Sequence, residues 1–229
     1  MSEAPNVLDL FPAIGLRRGG RMPTMWERTE YWRRNRSTII RAAVMAERWA
    51  YSHRQERWHS DGRPRILHHP TSIGRYGTAV LACKPGINEA SRFGIRMGWN
   101  FKLRPGEGDL VQYHPLDGHK LCSEPDAVLD ALNAQYSEIH GLALFSDNMQ
   151  AEDVSGIFSN IQHPCSDCRG FLLTFLRQSS PIIVVRHALP CDLDPRAEII
   201  DDPALGRLLV EDWTFGRICE YHHDRMGRR

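Results

Sequence analysis

Apolar residues recur along the chain with two different periods, and the alternation between those periods lays out a layered fold. Residues 38–51 carry a helical apolar face, Ile39, Ala43, Ala46 and Ala50, with Ile40 and Val44 alongside. Gly77-Thr78-Ala79-Val80-Leu81-Ala82 then predicts a buried strand, and a second strand is expected over about 93–101. Helical spacing returns in Ala127, Val128, Ala131 and Leu132, yields to a buried strand over 139–145, and returns in Phe171, Leu172, Phe175 and Leu176. A turn at Ser179-Ser180 leads to a fourth strand over 181–185, and after a turn at 190–195 the spacing over 205–213 predicts another helix. Strands alternating with helices predict an α/β fold, a three-layer α/β/α sandwich with a central mixed sheet. One domain is expected over 37–229, preceded by a basic extension at 1–36 and carrying insertions at about 54–75 and 103–120.

Two of the predicted helices begin at residues with metal-binding chemistry. Cys122-Ser123-Glu124 opens one, and Pro164-Cys165-Ser166-Asp167-Cys168 opens the other. Three cysteines and one glutamate are the groups needed for a catalytic zinc site, which keeps three protein ligands and leaves its fourth position to water of lowered pKa. Cys122, Cys165 and Cys168 are therefore the expected ligands of a Zn²⁺ cofactor. Glu124, two residues past its neighbouring ligand, is the expected catalytic proton shuttle and must stay off the metal to act as one. Pro125 and Pro164 suit first turns. Two helix N-termini meeting at the ion favour thiolates and a bound anion. A redox pair does not require the upstream Cys-x-Glu. A catalytically silent zinc-binding module remains as an alternative; it needs a fourth protein ligand, with Cys83, Cys191, Cys219, His119, His140 and His163 as candidates.

Over roughly residues 37–190, the order of elements and the Cys-x-Glu with Pro-Cys-x-x-Cys pair resemble the cytidine deaminase superfamily of zinc enzymes. The resemblance implies an enzyme that hydrolyses the exocyclic C–N bond of a cyclic amidine. Its all-cysteine ligand set is similar to that of the free-nucleoside branch, including blasticidin-type enzymes. The implied substrate is a free cytosine-type nucleoside, nucleotide or related specialised metabolite; the alternative is single-stranded RNA or DNA. Arg169, directly after Cys168, matches an arginine that hydrogen-bonds a ligand thiolate and offsets the negative charge of three sulfurs. Gly98-Trp99-Asn100-Phe101-Lys102 falls where relatives carry Gly-x-Asn-Val-Glu to hold ribose, which implies Asn100 and Lys102 as substrate-binding residues. Lys102 replaces a carboxylate and can only donate hydrogen bonds, so it either favours an anionic substrate or caps an exposed strand end. Backbone groups at His163 and Pro164 are implied to orient the attacking or leaving group. A homo-oligomer, dimer or tetramer, is implied as well.

Charge and composition narrow the classes further. A formal net charge of +1 argues against strong, sequence-independent polyanion binding. Residues 1–70 are nevertheless rich in arginine interleaved with Trp26, Tyr31, Trp32, Trp49, Tyr51 and Trp58, a pattern shared by nucleic-acid surfaces and by helices that pack on a core. No apolar run reaches the ~20 residues of a membrane span. With six cysteines, three committed to metal, a reducing cytoplasm is expected over a disulfide scaffold. The long segment between Lys102 and Cys122, with His114 and His119, suits a lid or substrate clamp.

Overall fold

The apolar runs at 77–82, 139–145 and 181–185 become three inner strands of a six-stranded sheet. A computed structural model describes residues 20–60, 76–99, 122–146, 163–164, 166–188 and 197–226, with side chains undescribed at 50–60, 166–167 and 224–226. In chain order the elements are α1 (Met25–Arg34), α2 (Arg36–Ser60), β1 (Tyr76–Cys83), α3 (Glu89–Arg92), β2 (Phe93–Trp99), α4 (Ser123–Asn133), β3 (Glu138–Ser146), α5 (Ser166–Leu172), β4 (Pro181–His187), β5 (Glu198–Asp202), β6 (Gly206–Thr214) and α6 (Phe215–Met226). The strand order is β2-β1-β3-β4-β6-β5. β3 and β4 pair in parallel and the other neighbours antiparallel, so the sheet is mixed, as expected.

Period-two alternation divides each inner strand between two cores. Ala79, Leu81, Cys83, Ala143, Phe145, Ile183 and Val185 pack against Trp32 of α1 and Ile39, Ile40, Ala43 and Val44 of α2. Val80, Ala82, Leu142, Leu144, Ile182 and Val184 pack against α4, Leu172 of α5, and Phe215 and Ile218 of α6. Both faces are thus covered, which is why these strands read as continuous apolar runs. The three-layer α/β/α arrangement follows. Among the described residues, no helix is long and apolar enough to cross a membrane.

Residues 25–34, inside the segment read as a basic extension, form a packed helix. Thr24 caps it: its hydroxyl accepts from the Glu27 N–H, and the Glu27 carboxylate accepts from the Thr24 N–H. Trp32 is buried, whereas Trp26 stays exposed. Several arginines of this region pair with acids on distant elements: Arg28 with Glu138, Arg34 with Glu89 at 2.7 Å, Arg36 with Glu198 and Asp212 at 2.8 Å each, and Arg41 with Asp202 at 2.8 Å. Much of the positive charge is therefore spent within the fold.

The expected helix at 205–213 is corrected to a strand, β6. Leu205, Leu208 and Leu209 are spaced for a helix, but Leu208, Leu209 and Val210 are all buried because β6 pairs on both sides and lies between two layers. The turn before it carried the contrary signal. Asp202 Oδ1 accepts from the Ala204 and Leu205 N–H groups, and Gly206 sits at φ 86°, which closes a β5–β6 hairpin. β5, α1, α3 and α6 have no counterpart among the expected elements.

One buried titratable group yields a stability prediction. Between β1 and β3 the register slips, Leu81 facing Gly141 and Ala82 facing Ile139, which leaves His140 as the extra residue of a bulge. Its ring meets Trp32 edge-on at 6.1 Å, and its buried Nε2 has no hydrogen-bond partner among the described residues. Burial, with Arg28 and Arg177 nearby, pushes the imidazole down to about 4. A depressed histidine contributes stability that is complete above its unfolded value near 6.5 and is lost as pH falls towards 4. Denaturant titrations from pH 7 to pH 4.5 should therefore show His140→Phe, which keeps an aromatic ring against Trp32, gaining on the wild type by about 2 kcal/mol as pH falls. Parallel pH profiles for the two proteins contradict this.

Candidate metal and catalytic centre

α4 starts where its sequence allows little else. Cys122 is the N-cap in extended backbone, Pro125 occupies a first-turn position whose N–H needs no partner, and Glu124 and Asp126 complement the positive end of the helix. Ala127, Val128 and Ala131 seat the helix on the sheet, and Gly98 sets how closely it sits. A Cβ on Gly98 would lie 2.2 Å from the Ala127 nitrogen and 2.5 Å from the Ser123 carbonyl oxygen, so the first turn of α4 rests directly on β2. The Trp99 N–H donates to Asp126 Oδ2 at 3.0 Å and ties the same strand to the same turn. Burial pushes the Asp126 carboxyl up to about 6, an effect that this hydrogen bond opposes and Asp130 reinforces.

Close seating brings Ser123 onto β1. Thr78, paired across the strands with Gly98, donates from Oγ1 to Ser123 Oγ at 2.8 Å, and Ser123 Oγ donates to Glu124 Oε2 at 3.1 Å. Thr78 and Ser123 are fully buried and Glu124 is 6% exposed. Sequence reasoning missed Thr78 and Ser123. The available signal was a pair of hydroxyls, one in an apolar strand run and one between a cysteine and a glutamate.

From the other side α5 supplies Cys168, which is 1% exposed. The ligand atoms of Cys122, Glu124 and Cys168 lie within 4.8 Å of one another. Soft sulfur donors gathered in a buried position fit zinc. No further histidine or cysteine joins the group among the described residues. Cys83 and His140, two of the candidate fourth ligands, lie in the other layer, against α1 and α2. Burial also pushes the Cys83 thiol up to about 12. Cys165, Asn100, Lys102, His119 and Cys191 lie outside the described residues.

Pro164 is buried just ahead of α5, and its carbonyl accepts from Arg169 Nη1 at 2.7 Å. Arg169 thereby braces the backbone leading into Cys165. His163 is held by α6 and β6: its Nδ1 lies 3.2 Å from His222 Nε2, and its ring stands edge-on to Trp213 at 4.6 Å and to Tyr221 at 5.3 Å. Burial, then His222 and Arg169, push its imidazole down to about 3, so it is neutral at ordinary pH. The aromatic and histidine side chains of α6 form a second brace on this segment, one that its mixed polar sequence did not announce.

No protein-family model matches the chain, and no curated protein matches it. Among solved structures, the cytidine deaminase from Mycobacterium tuberculosis aligns at 16% identity over 80% of this chain and 91% of that one, with a TM-score of 0.38. The cytidine deaminase from Mycobacterium leprae aligns at 16% identity over 65% of this chain and 86% of that one, with a TM-score of 0.36.

Proposed function

We propose that the protein is a zinc-dependent hydrolytic deaminase of a free cytosine-type nucleoside, nucleotide or related small metabolite, a divergent member of the cytidine deaminase superfamily. The observation that carries this reading is the buried convergence of Cys122, Glu124 and Cys168 from the starts of α4 and α5. Cys122, Cys165 and Cys168 would hold the zinc, which when bound supplies Lewis acidity and lowers the pKa of water towards neutrality. Glu124 takes one proton of the attacking water and gives it to the ring nitrogen, then takes the second from the new hydroxyl and gives it to the departing amine. One C–O bond forms, the exocyclic C–N bond breaks, and ammonia leaves with the transferred proton. Arg169 offsets the thiolate charge and holds the Pro164 backbone, which orients the leaving group. Asn100 and Lys102 contact the sugar or an anionic substituent of the substrate. The working protein is a homo-oligomer of the cytoplasm.

Ammonia release from cytosine, cytidine, cytidine phosphates and aminated purines tests the reading, using zinc-loaded protein. Turnover of a cytosine compound supports it. Silence across the panel with zinc bound, together with salt-sensitive binding and deamination of single-stranded oligonucleotides, would move the assignment to nucleic acid.

A further inference from the structure

We propose that Thr78 and Ser123 are positioning residues that set the orientation of the Glu124 carboxylate, through a directional chain of hydroxyls running from the sheet into the centre. The inference rests on the reading of Glu124 as proton shuttle. Adjacent residues on a helix do not face each other, so the 3.1 Å hydrogen bond from Ser123 Oγ to Glu124 Oε2 is not a by-product of helical geometry. It forms because Ser123 is held by something outside α4. That holder is Thr78, whose hydroxyl hydrogen is spent on Ser123 Oγ at 2.8 Å.

With its oxygen accepting from Thr78, the Ser123 hydroxyl directs its own hydrogen to the carboxylate. Thr78 is a rigid anchor: its β-branched side chain has restricted rotation, it is fully buried, and β1 is paired on both sides by β2 and β3. Two fully buried hydroxyls without partners would each carry a desolvation penalty. Their mutual satisfaction therefore selects the observed orientation. A glutamate that moves a proton between two partners gains from this, because small misplacements of a reacting group cost large factors in rate.

Ser123→Ala, Thr78→Val and Thr78→Ser, each zinc-loaded, test the chain in ammonia release from cytidine and cytidine 5′-monophosphate. Ser123→Ala is expected to lower kcat about 10- to 100-fold, the range for partners that orient a site residue. Thr78→Val should lower it by a smaller factor and Thr78→Ser should restore it, with KM and zinc content near wild type throughout; the melting temperature falls in Ser123→Ala, which leaves the buried Thr78 hydroxyl without its acceptor. A parallel fall in zinc content, or a kcat for Ser123→Ala equal to wild type, overturns the proposal. Crystal structures of wild type and Ser123→Ala decide independently of turnover. One Glu124 orientation in the wild type and a second in the variant is the expected result, and the same single orientation in both overturns it. Failure of the deaminase reading would show separately, as wild type and Glu124→Gln giving equal ammonia release.

Discussion

Glu124→Gln protein is expected to keep its fold and its zinc while releasing ammonia about 10²- to 10⁴-fold more slowly than wild type, the range that a positioned general acid–base supplies. The substitution is nearly isosteric, and the amide oxygen still accepts from Ser123 Oγ, so the packing of the first turn of α4 is retained. Only the ability to take up and give back a proton is lost. Retained zinc separates this role from metal ligation. The carboxylate and the two sulfurs all lie within 4.8 Å of one another, so proximity alone does not distinguish a shuttle from a ligand. Ammonia release within tenfold of wild type, or zinc lost together with activity, would contradict the assigned role.

Gly98→Ala should be the most disruptive single-carbon change near the centre. Its Cβ would meet the Ala127 nitrogen at 2.2 Å and the Ser123 carbonyl oxygen at 2.5 Å. Both are backbone atoms, so no side-chain rotation relieves the contact and α4 must lift from β2. The lift separates Ser123 from Thr78 and moves Cys122 relative to Cys168. Urea denaturation is expected to show a loss of about 3 kcal/mol, the upper end for overpacking, and zinc content should fall with it. Gly77→Ala is the matched control. Its Cβ would meet the Ala43 carbonyl oxygen at 2.1 Å and the Glu47 nitrogen at 2.5 Å, on the opposite face of the sheet against α2. It should cost stability, with a smaller effect on zinc content. Wild-type stability and zinc content in Gly98→Ala would show that α4 is not seated on β2 in this way.

The parts of the structure legible in the sequence are those in which chemistry or burial imposes a strict pattern. β1, β3 and β4 were readable because both faces are covered, and the buried group of Cys122, Glu124 and Cys168, which could hold a metal, because cysteines and a glutamate at the starts of two helices form a strict pattern. β6 was misread because Leu205, Leu208 and Leu209 satisfy a helical period, while the decisive facts, pairing with β4 and β5, are non-local. α1 was hidden by its arginines, whose partners Glu138 and Glu89 lie far along the chain. The link from Thr78 to Ser123 depends on how closely α4 approaches β2, a distance set by a missing Cβ at Gly98. The His140 bulge is equally a property of strand register. Asn100, Lys102 and Cys165 stand as expectations from the sequence.

X-ray absorption at the zinc edge, recorded on wild type and on Glu124→Gln, tests the central claim most directly. Three sulfur neighbours at about 2.3 Å with one oxygen or nitrogen neighbour at about 2.0 Å, unchanged by the substitution, is the predicted result. It would establish an open three-thiolate site beside a glutamate that does not coordinate. Absence of zinc, a fourth protein ligand closing the site, or a coordination shell that changes when Glu124 becomes glutamine would contradict the account.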